Sequence, residues 1–96
     1  MTVDELINEL TKQGCFGVVR GVEIGWRRVK SGSLRGSLGL YARAPDGVTA
    51  VFVVTPQTIK QSKSGINLFQ AIMEDMRRSM EAKREEMQLV GHRSDV

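Results

Sequence analysis

The chain of 96 residues contains one cysteine, one histidine, two prolines and only 5% aromatic residues. With Cys15 alone, no intrachain disulfide can form; that fits a reducing compartment, and the cytoplasm is the expected location. His92 is the only histidine and lies near the end of the sequence, so a histidine-activated serine or cysteine nucleophile has little to build on. One cysteine and one histidine fall short of a tetrahedral zinc set. The acids are spread along solvent-facing helix positions, so no metal and no other cofactor is expected. No apolar run approaches the roughly 20 residues that a membrane helix needs, and no membrane partner is expected. The opening MTVDELINEL is acidic and amphipathic, unlike the basic-then-apolar pattern of a secretory signal. The ten glycines include no G-x-x-x-x-G-K-[ST] and no G-x-G-x-x-G opening a helix, so there is no phosphate cradle. Gly17, Gly21 and Gly25 read instead as sites of strand twist and close backbone approach. These absences together predict a protein that is not an enzyme.

What is present is an uneven distribution of charge. Residues 20–63 carry eight basic side chains (Arg20, Arg27, Arg28, Lys30, Arg35, Arg43, Lys60 and Lys63) against Glu23 and Asp46, a balance of +6 in a chain whose net charge is +3. Positive charge gathered on one stretch is how proteins attract polyanions. The competing reading is that these residues are the solvated face of an amphipathic sheet.

The periodicity of apolar residues places this stretch between helices. Thr2 and Glu5 form a T-x-x-E capping box, and Val3, Leu6, Ile7 and Leu10 make one apolar stripe, predicting a helix over 3–13. From Cys15 the period changes to two. Phe16, Val18, Val22, Ile24 and Trp26 fall on even positions, with Arg20 breaking the row, as in one long strand bent near Gly21. Leu34, Leu38, Leu40 and Ala42 face one way in a second strand, with Arg35, Ser37, Tyr41 and Arg43 on the other side. Pro45-Asp46-Gly47 is a hairpin turn. Val48–Val54 is apolar at nearly every position, as a strand covered on both faces or a central strand would be. Residues 57–64 read as a polar loop or loose helical turn.

A last helix is expected over Ile66–Leu89, about 36 Å long and capped by Ser64. Its stripe of Ile66, Phe69, Ile72, Met73, Met76, Met80 and Met87 packs on the core at its start and overhangs at its end. The expected whole is one α+β domain over 1–90 with a flexible tail over 91–96. Its order is α-β-β-β-α, with a three-stranded antiparallel sheet packed against helices and a long C-terminal helix.

Two surfaces are candidates for function. Arg27, Arg28, Lys30, Arg35 and Arg43 are expected to contact phosphates, with Tyr41 stacking on a base and Lys60 and Lys63 extending the track. Met76, Met80 and Met87 are expected at a homodimer or partner interface, because a seam stepping by three and four residues suits a second helix, although Lys83 interrupts it. Trp26 is expected in the core, and Cys15 as a small buried residue rather than a nucleophile.

The order helix–strand–strand–strand–helix is similar to that of double-stranded RNA-binding domains. That resemblance implies RNA held by the first helix, a loop between strands and lysines starting the last helix. Lys60 and Lys63 fall near the last of these, while the helix itself opens GINLFQA and the loop Lys30–Ser33 has no histidine. The chain also resembles many small phage or mobile-element proteins, some of which dock on a host protein or nucleoprotein complex. The leading expectation is a nucleic-acid-binding accessory or regulatory protein, DNA or RNA unspecified. The alternative is an inhibitor or adaptor that docks on a host protein or nucleoprotein complex through the Met-rich helix and the basic surface.

Overall fold

Thr2 opens the fold by capping α1, Val3–Lys12, where its Oγ1 accepts the backbone N–H of Glu5 at 3.2 Å. The same hydroxyl donates to the Glu5 carboxylate, and Leu6, Ile7 and Leu10 bury the apolar stripe. The computed structural model describes residues 1–94, with side chains through Met87. Four strands follow α1: β1 (Gly17–Val19), β2 (Val22–Arg28), β3 (Leu38–Arg43) and β4 (Thr49–Val54). They pair antiparallel in chain order, forming a four-stranded meander. Two helices, α2 (Pro56–Gln61) and α3 (Gly65–Ser94), complete an α+β architecture with a long C-terminal helix.

The sheet has one strand more than the sequence periodicity predicts. Arg20 and Gly21 both have positive φ, 52° and 82°, and Val19 pairs with Val22 across them. They are the central residues of a two-residue type I′ turn, whose twist matches that of the flanking strands. Arg20 therefore breaks the apolar row because it turns the chain. The turn also resets the side-chain parity: Val18 pairs with Glu23 on the face opposite Ile24 and is 74% exposed. The expectation that Val18 shares a buried face with Ile24 and Trp26 is corrected accordingly.

The loop after β2 also differs from expectation. Val29 and Ser37 extend the β2–β3 ladder by one bond, and turns at 32–37 close the segment beyond it. Leu34 and Arg35 belong to that loop and not to β3. After β4, Pro56 ends the strand and begins α2, with Thr55 as its cap; proline is favoured there because its missing N–H has no partner in a first helical turn. Ile59 then fixes α2 in the core at 0% exposure. Ser64 caps α3 through the N–H of Asn67, as expected.

Both long helices lie on one face of the sheet. Leu38, Leu40, Ala42, Ala50 and Val54 are buried there against Leu6, Leu10, Phe69, Ile72, Met76 and Met80. Phe16 sits edge-on to Phe69 and tilted against Trp26, a residue still 38% exposed. Trp26 thus flanks the core and is not enclosed by it. Cys15 is half-buried, and burial, then the charge of Glu9, pushes its thiol up, away from the thiolate a nucleophile needs.

Polar contacts hold α3 to the sheet further along. Lys83 Nζ donates to the Thr49 carbonyl at 2.5 Å on the edge strand, and Arg84 Nε donates to Asp46 Oδ2 at 2.8 Å in the β3–β4 turn. Lys83 interrupts the apolar seam because it bonds to the edge of β4, where a lysine also discourages further strand pairing. The α3 backbone stays helical through Ser94, past Gly91, where the sequence suggests a tail; residues 95 and 96 lie outside the described residues. No helix of the described residues is long and apolar enough to cross a membrane.

The Asp46–Arg84 pair predicts a pH dependence. The Arg84 hydrogen bond, with help from the Val48 N–H, holds the Asp46 carboxyl below its usual range. A depressed carboxylate contributes stability that is fully present above the unfolded value near pH 4 and is lost as pH falls through the lower folded value. Urea unfolding midpoints of Asp46→Asn should therefore fall less steeply than wild type below about pH 4. Parallel curves for the two proteins would show that the pair carries no stability. The pair is exposed, so its effect should also shrink in high salt.

Candidate nucleic-acid interface

The second face of the sheet carries no helix, and strand alternation decides what it displays. From the pairing register, Glu23, Arg43 and Thr49 share one row, Gly25, Tyr41 and Val51 the next, and Arg27, Gly39 and Val53 the third. Arg27 and Arg43 thus stand at opposite ends of the face, about 14 Å apart along the strands, with Tyr41 between them. Neither arginine is in an ion pair among the described residues, whereas Arg28, Arg77, Arg78 and Arg84 all are. Glu23, cross-strand from Arg43, is the acid on this face.

Tyr41 owes its position to Gly25. A Cβ on Gly25 would lie 2.1 Å from both Cζ and Oη of Tyr41, so the phenol leans across β2 in the space a side chain would fill. Gly25 is buried beneath it, although it belongs to the open face. Gly39 does the same on a smaller scale for the Arg27 stem, 3.3 Å from the position of a Cβ. The result is a concavity of about 320 Å³ floored by β3 and bounded by Arg27, Tyr41, Arg43, Thr49 and Val51. A wider depression of about 720 Å³ shares Arg27, Gly39 and Val51 with it and continues toward Lys30 and Val53. Together they form a trough across the sheet, basic at both ends and apolar in the middle.

The eight residues predicted for nucleic-acid contact therefore separate into groups. Arg27, Tyr41 and Arg43 come together on the open face, with Lys30 at the end of the trough. Arg28, one residue on from Arg27, borders the wider depression, but its guanidinium pairs with Asp4 of α1. Arg35 is in the 30–36 loop and lines neither depression, because the turns there keep it off the strand. Lys60 lies on α2 beside the start of α1, in a hollow that also contains Glu5, and Lys63 is exposed in the α2–α3 link. These two do not extend the sheet track.

The methionine seam divides as well. Met76 and Met80 are buried in the chain's own core at 2% and 6% exposure, so they are covered already; Met87 is 61% exposed. Of the three methionines expected at an interface, only Met87 is open to a partner.

Sequence reasoning missed Val51 and Val53. An all-apolar strand suggested cover on both faces or a central place in the sheet, but β4 is an edge strand with one face open, and Val51 is 68% exposed. The cue was the alternation of β3: once Leu38, Leu40 and Ala42 define the covered side, pairing through Pro45-Asp46-Gly47 assigns Val51 to the side of Tyr41. Among the described residues, no group of three or more His, Cys, Asp or Glu side chains could hold a metal ion. No model of a known protein family, no curated protein and no solved structure matches this chain.

Proposed function

We propose that this chain is a small, non-enzymatic nucleic-acid-binding protein with an accessory or regulatory role, and that it binds through the open face of its sheet. One observation carries the reading: two arginines outside any described ion pair and one tyrosine, from two adjacent strands, surround a single concavity. Guanidinium groups suit phosphates, and an aromatic ring between them suits a base.

The test is a salt titration of binding to generic DNA and RNA. Phosphate contacts predict a linear fall of log affinity with log salt. Arg27→Ala and Arg43→Ala should each weaken binding about ten-fold and reduce the salt slope by about one. Arg35→Ala, off the face, should leave the slope unchanged. Thermal unfolding of all three should match wild type, since each side chain is exposed. Salt-independent binding would count against phosphate recognition.

A second reading is favoured by the exposure of Val18, Val51 and Met87. Aliphatic side chains open to water suit docking on a host protein or nucleoprotein complex, which would make the chain an inhibitor or adaptor. Affinity would then vary little with salt and would fall most on truncation of those three residues.

A further inference from the structure

We infer that the ligand of the open sheet face is a single strand, of which one unstacked base lies on Tyr41 and Val51; this rests on the nucleic-acid reading above and specifies its substrate class. Three features favour a single strand over a duplex. The first is extent. A duplex carries one negative charge per about 1.7 Å of axis and asks for a broad basic surface. Here Arg27, Lys30 and Arg43 face the trough with Glu23 beside them, while Lys60 has Glu5 for a neighbour and Arg28 is held by Asp4. The positive charge that faces the trough is a short line, and the exposed Arg20, Arg35 and Lys63 lie off it in turns and links.

The second feature is the apolar middle of that line. Tyr41 and Val51 are directly cross-strand, and Val53 follows one row on. The outside of a duplex offers phosphates and sugars to a flat sheet and would leave this strip against water. An extruded base offers a face of matching size and character.

The third is the pose of the ring. An upright tyrosine would present an edge to an incoming base. Here the far end of the phenol reaches across to the space over Gly25, so the ring leans along the sheet, where a base can stack on it. The two arginines, about 14 Å apart, then take phosphates on either side of the stacked base. The footprint is roughly four nucleotides, at the small end of single-strand sites.

Fluorescence anisotropy with labelled eight-residue oligo(U) and oligo(dT), and with a 20-base-pair RNA duplex and DNA duplex in the same low-salt buffer, tests the inference. A single strand should bind at least ten-fold more tightly than either duplex. Tyr41→Ala should weaken single-strand binding about 5- to 150-fold, the range for loss of one base–aromatic stack, and Tyr41→Phe should stay within about two-fold of wild type. Val51→Asp, at a position 68% exposed and outside the buried core, should weaken it comparably and guards against a Tyr41→Ala protein that fails to fold. Duplex binding equal to single-strand binding would overturn the inference. So would wild-type affinity in both Tyr41→Ala and Val51→Asp while Arg43→Ala still weakens binding; the nucleic-acid reading would then survive with a backbone-only site. Absence of binding to all four probes would overturn both.

Discussion

Gly25→Ala should weaken single-strand binding about as much as Tyr41→Ala does, although Gly25 itself reaches no ligand. The added methyl would lie 2.1 Å from the Cζ and Oη atoms of Tyr41, well inside any van der Waals contact, so the ring must leave. It is the far end of a side chain on an open face and can swing away, and the fold survives. What is lost is the leaning pose, and with it the stack, for a loss of about 5- to 150-fold in affinity. The unfolding free energy supplies an independent check. In the wild-type background the substitution forces Tyr41 from its preferred rotamer, at a cost of about 0.5–1.5 kcal/mol. In a Tyr41→Ala background the space is empty, and alanine in a strand should be neutral or should stabilise by up to about 1 kcal/mol over glycine. The preference for alanine is common to both backgrounds and cancels, so the double-mutant cycle should give a coupling energy of about 0.5–1.5 kcal/mol between positions 25 and 41. Additive effects would mean that the ring does not rest on Gly25, and the platform would lose its support.

Met80→Ala should cost about 2–5 kcal/mol of stability, and Met87→Ala less than about 0.5 kcal/mol. The two residues are seven apart on one helical stripe, and the sequence treats them alike. In the fold Met80 is 6% exposed within the cluster that includes Ile72, Met76 and the helix-side residues of β3 and β4, whereas Met87 lies beyond Arg84, the last described tether to the sheet, and is 61% exposed. Truncating Met80 removes buried thioether and methylene groups and leaves a cavity; truncating Met87 removes atoms already in water. For a domain with a typical net stability of about 5–15 kcal/mol, the first loss is a large fraction and should be plain in urea unfolding curves. Equal stability of the two variants would show that Met80 is not part of the core. Sedimentation velocity of Met87→Ala alongside wild type then asks whether the exposed end of the stripe joins a second copy, without the confusion of a destabilised fold.

The sequence alone was enough for the features that depend on near neighbours along the chain. The capped first helix, the Ser64 cap, the turn at Pro45-Asp46-Gly47 and the period-two stretch between helices all follow from spacings of two to four residues. The grouping of positive charge was legible for the same reason. Arg20 was not, because a two-residue turn without asparagine or aspartate before its glycine differs from a strand interior only in the pairing of Val19 with Val22. That single turn added a strand and reversed the side on which Val18 faces.

Everything about the candidate site beyond its residue types was decided by tertiary structure. Arg27 and Arg28 are neighbours in sequence, yet strand alternation gives one to the open face and the other to Asp4 of α1. Tyr41 and Gly25 are sixteen positions apart in the chain, and only the β2–β3 register sets the ring over the space where a side chain is missing. Lys60 and Lys63 belong to the same basic stretch as Arg43 and end elsewhere, because α2 packs toward α1. Which charges meet, which are neutralised and which face stays uncovered depends on pairings between residues distant in the chain, and a local pattern of residue types carries no record of them.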